Sequence, residues 1–178
     1  MSSKTKILLA ILVIALAAGS RLIDHPFNFT PIAAMSIFAG CYFHKRWGVL
    51  LPLLAMVLSD YIIGFYHWPV MISVYLGVAL SYYIGWQLAR NKKWPGVLGA
   101  SVFSSVLFFL LTNFSVWAFF NWYPHTLTGL LNCFTLALPF FRNSLAGDLT
   151  YTLIFFGAFE AVLWAARVNK KAQLAENS

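Results

Sequence analysis

Two carboxylates stand inside apolar runs of this chain, Asp60 in Leu58-Ser59-Asp60-Tyr61-Ile62-Ile63 and Asp148 in Leu145-Ala146-Gly147-Asp148-Leu149. An acid at the centre of a membrane helix costs about 2.5–3.5 kcal/mol on insertion scales, so each is a candidate for ligand contact. Each also has a structural alternative: Asp148 with Arg142, and Asp60 with His67 or a backbone amide. A second set is polar but uncharged. Asn28 and Thr30 lie between Pro26 and Pro31, and Asn113 lies just before Trp117. An amide offers donors and acceptors together, which suits a ligand with mixed hydrogen-bonding edges. The alternative role of Asn28 and Asn113 is to tie down backbone broken by the prolines. Trp117 and Phe29 could stack on a ring-shaped ligand, and Cys133 is either a packed small hydrophobe or a reactive or metal-binding thiol. The candidate ligand-binding set is Asn28, Thr30, Asp60, Asn113, Trp117, Cys133 and Asp148.

Catalytic patterns do not accompany these residues. The sequence has no Gly-rich phosphate loop, no Walker lysine, no HExxH and no Gly-x-Ser-x-Gly elbow. An enzyme built on Asp60, His67 or Cys133 lacks a nucleophile and a base at a recognisable spacing. The expectation is therefore no enzyme, no cofactor and no metal centre, with any transport driven by an ion gradient or by another protein.

The elements that must position these side chains are membrane helices. Of 178 residues, 61% are hydrophobic and 10% charged, and the mean hydropathy is +0.76; soluble domains carry roughly 45–50% apolar and 25% charged residues. The expected fold class is all-α, a polytopic integral membrane protein with about six transmembrane helices. Lys4 and Lys6 before Ile7 to Gly19 have the shape of a signal peptide but are read as span 1, with Arg21 snorkelling at its outer end. Span 2 runs from about Ile32 to Phe43, short for a crossing; span 3 from Trp47 to Tyr66; span 4 from Val70 to Ala89; span 5 from Pro95 to Phe120. Residues Asn121 to Asn143 are read as a loop carrying a short re-entrant or surface helix ended by Pro139. Span 6 runs from about Leu145 to Ala166. Residues 1–168 thus form one transmembrane domain and residues 169–178 a polar cytoplasmic tail.

Charge placement orients the spans. With the amino terminus inside, the inner segments collect Lys4, Lys6, Lys45, Arg46, Arg90, Lys92, Lys93, Arg167, Lys170 and Lys171, and the outer ones only Arg21 and Arg142. This positive-inside bias places both termini in the cytoplasm of a cell whose inner membrane the chain crosses several times. It also accounts for the net charge of +7 without a nucleic-acid partner. In this topology Cys41 and Cys133 lie near opposite faces, so a disulfide, which needs Cα atoms within about 7 Å, is not expected. Glu160 falls in the inner half of span 6, where it snorkels or pairs. Small residues recur at four-residue spacing in Gly77-Ser81-Gly85-Ala89, Gly96-Ala100-Ser104 and Gly157-Ala161-Ala165, ridges that let helices approach closely in lipid.

Four blocks carry a resemblance: Asn28-Phe29-Thr30-Pro31-Ile32-Ala33-Ala34, Leu58-Ser59-Asp60-Tyr61-Ile62-Ile63-Gly64-Phe65, Thr112-Asn113-Phe114-Ser115-Val116-Trp117, and Ala137-Leu138-Pro139-Phe140-Phe141-Arg142-Asn143-Ser144-Leu145-Ala146-Gly147-Asp148. They look like the signature blocks of a family of uncharacterised small bacterial membrane proteins. More loosely, the size, spans and outward polar loops resemble the S components of energy-coupling-factor vitamin transporters. That resemblance implies capture of a vitamin beneath outer loops 1, 3 and 5 and docking of an energising membrane subunit. The expected function is binding and import of a small nutrient, such as a vitamin, through an outward-facing pocket. The alternative is a structural or assembly protein that packs against a larger membrane partner through its small-residue ridges.

Overall fold

The computed structural model describes residues 3–22, 27–43 and 46–176. Among these it is all helical, as expected, with α1 Ser3–Ser20, α2 Ile32–Tyr42, α3 Leu50–Ile63, α4 Trp68–Leu88, α5 Trp94–Phe119 and α6 Leu127–Glu176. Proline sits in the first turn of α4 and of α5, where its missing N–H costs nothing. Gly64, at φ 110°, turns the chain out of α3. Among the described residues three stretches are long and apolar enough to cross a membrane: Trp68–Asn91, Trp94–Phe119 and Leu127–Asn169. In a chain of this composition they indicate a membrane protein. The apolar segments of α1, α2 and α3 are shorter.

The bundle is built around its shortest helix. α2 has 11 residues, about 16 Å of helix, and every residue from Ala33 to Cys41 is buried. A helix that is apolar all round has no face to give to solvent or lipid and belongs in the interior. Phe38 meets the rings of Phe155, Phe156 and Phe159 edge-on, with centroids 6.2, 5.4 and 5.3 Å away. On the opposite side α2 meets α4 backbone to backbone. A methyl group added to Gly40 would strike the carbonyl of Tyr82, and one added to Gly85 would strike that of Ile37. Lipid provides no hydrophobic drive between helices, so this close approach supplies the van der Waals contact that holds them. Gly77, Ser81 and Gly85 of the first small-residue ridge are thereby consumed within the chain.

α5 and α6 run antiparallel, and here the structure corrects the sequence reading. Residues 127–143 are not a separate loop helix ended by Pro139; α6 passes through Pro139 without a break and continues to Glu176. Its contacts with α5 show how. The Cys133 thiol reaches the carbonyl of Asn113 at 3.5 Å, and the Ser105 hydroxyl donates to Asp148 at 2.7 Å. Between these points α6 advances from 133 to 148, about 22 Å, while α5 advances from 105 to 113, about 12 Å. Two straight helices cannot meet at both ends of such a mismatch, so α6 bows away from α5. Pro139 stands near the middle of the arc, where its ring removes one helical hydrogen bond and favours a bend.

Candidate functional site

The site begins with the segment before α2. Asn28 adopts φ 62°, a left-handed conformation that asparagine tolerates better than most residues. The chain is thereby turned onto α6, where Gly147 admits it: a β-carbon there would lie 3.1 Å from both Phe29 Cα and Thr30 N. One turn earlier on α6, Asn143 Nδ2 donates to the Phe27 carbonyl at 3.1 Å. One residue later, Asp148 Oδ1 accepts from the backbone N–H groups of Ala33 and Ala34 at 3.1 and 3.3 Å. The N-cap residue of α2 is Pro31, which has no side-chain cap to offer, and Asp148 caps the helix from another part of the chain. This replaces the expected pairing with Arg142.

Asp60 is likewise occupied, but not by His67. It is buried in α3 at 1% exposure. Its Oδ1 accepts from Arg21 Nη2 at 2.7 Å, and its Oδ2 accepts from the Tyr75 hydroxyl at 3.0 Å. Arg21 Nη1 adds a hydrogen bond to the Ser59 hydroxyl. Arg21 therefore turns inward at the end of α1 instead of snorkelling outward, because the buried carboxylate has no other cation to pair with among the described residues. His67 stacks on Phe120 with centroids 4.5 Å apart.

Between these anchors lies a cavity of about 350 Å³. Arg21, Asn28 and Thr30 line one side. Ser105, Phe108, Phe109, Thr112, Asn113 and Val116 of α5 line another, and Ala137, Phe140, Phe141 and Ser144 close it from beneath the arc of α6. Phe109 is wedged into the concave side of α6, its ring 5.6 Å from Phe134 and 4.8 Å from Phe141, residues on either side of Pro139. All four sequence blocks contribute: three supply lining residues directly, and the Asp60 block supplies the carboxylate that fixes Arg21.

The seven candidate residues separate accordingly. Asn28, Thr30 and Asn113 line the cavity. Asp60 stands behind it, holding Arg21, and Asp148 touches it through Ser105. Trp117 does not line it: its indole N–H donates to the Pro124 carbonyl at 3.0 Å, and its ring faces His125 at 5.6 Å. Cys133 lies at 2% exposure against the Asn113 carbonyl, a packed thiol; it and Cys41 are both free. Phe29 stacks on Tyr151 at 5.8 Å. Asp24 and His25 of the same loop lie outside the described residues. Sequence reasoning missed Arg21, Ser105 and Ser144. Ser144 stands in one of the quoted blocks and was legible there; Arg21 was misassigned because it ends an apolar helix, the usual place for a snorkelling cation.

A smaller cavity of about 240 Å³ lies at the basic end, beside Lys92, Lys93, Trp94 and Glu160. Glu160 is paired there, with Lys92 and with the Tyr42 hydroxyl, which donates to Oε1 at 2.6 Å. The Lys92 ammonium also sits 4.1 Å above the Tyr42 ring. This cluster ties α2, α5 and α6 together below the core.

No curated protein and no solved structure matches the chain, so the likeness to S components rests on sequence features alone. The family is shown directly: over residues 1–172 the chain matches DUF6580, a family of unknown function, and it belongs to that family.

Proposed function

We propose that the chain crosses the bacterial inner membrane six times, both termini in the cytoplasm, and captures a small nutrient in the cavity beneath the α6 arc for import. The observation that carries this reading is the convergence of Arg21, Asn28, Thr30 and Asn113 on one apolar-walled space, the usual makeup of a small-molecule site. Position supports an outward opening. α5 starts beside Lys92 and Lys93, and Asn113 lies near its other end, so the cavity stands away from the basic, cytoplasmic side. In this reading the half-length α2 completes its crossing with the segment before it, whose Asn28 and Thr30 line the cavity, the setting in which irregular backbone is tolerated at membrane depth. Energy comes from an ion gradient or a partner subunit.

Size narrows the cargo. Ligand pockets span roughly 300–1,000 Å³, and about 350 Å³ is near the floor, so the cargo is a compact molecule and not a corrinoid. The test is native mass spectrometry of the gently extracted protein, beside Asn113→Leu and the space-filling Val116→Trp. A small molecule carried by the wild type and lost from both folded variants supports the reading. A protein that carries none overturns it.

One observation favours the assembly reading. Ala161 and Ala165 of the third ridge are exposed, and nothing lies within 4 Å of a β-carbon built at Gly157, so this face of α6 is open to another helix. Stoichiometric co-purification of a second membrane protein, with no small molecule, selects that reading.

A further inference from the structure

Resting on the reading of the cavity as a ligand site, we infer that its ligand is an uncharged, flat, ring-containing molecule with hydrogen-bond donors and acceptors on its edges, such as a cyclic or aryl amide. The first ground is charge. Arg21 is the one ionisable cation among the described lining residues, and Asp60 already neutralises it at 2.7 Å. The Asp148 carboxylate is turned away, its charge spread over the amides of Ala33 and Ala34 and the Ser105 hydroxyl. Among the described residues no uncompensated charge faces the space. A carboxylate would add a second anion to an arginine already paired, and an ammonium would meet that arginine with no free carboxylate among the described residues to balance it.

The second ground is the direction of the hydrogen bonds. Three lining hydroxyls have spent their protons: Thr112 on the Phe108 carbonyl at 2.9 Å, Ser105 on Asp148, and Ser144 on the Phe140 carbonyl at 3.2 Å. Their oxygens can only accept, so they call for N–H or O–H groups on the ligand. Arg21 can only donate, and it retains N–H groups beyond those given to Asp60 and Ser59. Asn113 commits one N–H to the Phe109 carbonyl at 2.8 Å, keeping its second N–H and its carbonyl oxygen. A neutral amide edge satisfies both kinds of wall at once. The third ground is shape: the rings of Phe109 and Phe141 pack on each other, centroids 4.8 Å apart, and with Phe108 and Phe140 present an aromatic wall to the face of a flat apolar body.

The test uses three probes of one shape, 2-naphthamide, 2-naphthoate and 2-naphthylmethylammonium, titrated into the full-length protein in nanodiscs by equilibrium dialysis. Specific binding is the part lost in Val116→Trp, which removes partition into lipid from the comparison. The amide is expected to bind at least 10-fold more tightly than either ion. Tighter binding of the carboxylate or the ammonium overturns the inference while leaving a ligand cavity in place. Specific binding of none of the three also overturns it, whereas the cavity reading itself is decided by the co-purified molecule above.

Discussion

Asp148 holds the amide of Ala33 at 3.1 Å across 115 positions of sequence. One carboxylate on the longest helix thus closes the open end of the shortest. The same turn of α6 gives Gly147 to the Phe29–Thr30 backbone and Asn143 to the Phe27 carbonyl. Two sequence blocks far apart in the chain are a single joint in space, and one wall of the cavity hangs from that joint.

Removing the carboxylate should cost stability. Asp148→Ala leaves two buried N–H groups without an acceptor, each worth about 1–3 kcal/mol, and a loss of about 2–4 kcal/mol is expected in a reversible detergent-unfolding titration. Asp148→Asn keeps one acceptor oxygen and should lose about 1 kcal/mol. Equal stability of the Ala variant and the wild type would rule out the cap.

The Arg21 and Asp60 pair should behave as a unit. Either Arg21→Gln or Asp60→Asn alone is expected to destabilise the protein, Arg21→Gln by about 3–5 kcal/mol because it strands a buried charge. The double variant should lose less than the sum, giving a coupling of at least about 1 kcal/mol in a double-mutant cycle. Additive losses would mean that the pair is incidental to the fold.

Pro139 should maintain the arc. With Pro139→Ala the missing helical hydrogen bond returns, α6 straightens, and its amino-terminal part moves off α5. Cys133, at 2% exposure, is then uncovered. Its alkylation by N-ethylmaleimide, followed by intact mass, should accelerate at least 10-fold, with Cys41 in the core of α2 as the unreactive internal control. An unchanged Cys133 rate would show that the arc survives without proline.

Contact between α2 and α4 tolerates no side chain. Gly40→Ala places a methyl on the Tyr82 carbonyl, which is backbone and cannot rotate away, so a loss of about 1–3 kcal/mol or more is expected. Ala161→Leu, on the open face of α6, should leave stability within about 0.5 kcal/mol. A Gly40→Ala protein as stable as the wild type in thermal unfolding would contradict the packing described.

How much of this was legible follows from the range of each signal. α4 and α5 were readable because proline and flanking lysines bracket apolar runs of membrane length. α2 was readable as short, but its enclosure was not, since an all-apolar helix looks the same facing lipid or protein. The buried acids at 60 and 148 stood out by chemistry. Their partners did not, because spacing reports neighbours three or four positions away, while Arg21 lies 39 positions from Asp60. α6 was divided at Pro139 because a proline among Asn132, Arg142 and Asn143 reads as a stop. Only the contacts on both sides of it show that the helix bends instead.

The capping of α2 from α6 also sets a timetable for biogenesis. α2 leaves the ribosome 115 residues before the acid that completes it, a delay of roughly 6 to 23 s at ordinary rates of synthesis. Throughout that interval its first amides lack their final acceptor, and its apolar surface has only α1, α3, α4 and then α5 for company. The newborn helix must wait at the insertion machinery or the membrane edge until the last helix arrives. Truncation before Asp148 would therefore deprive the protein of its centre as well as its carboxyl-terminal end.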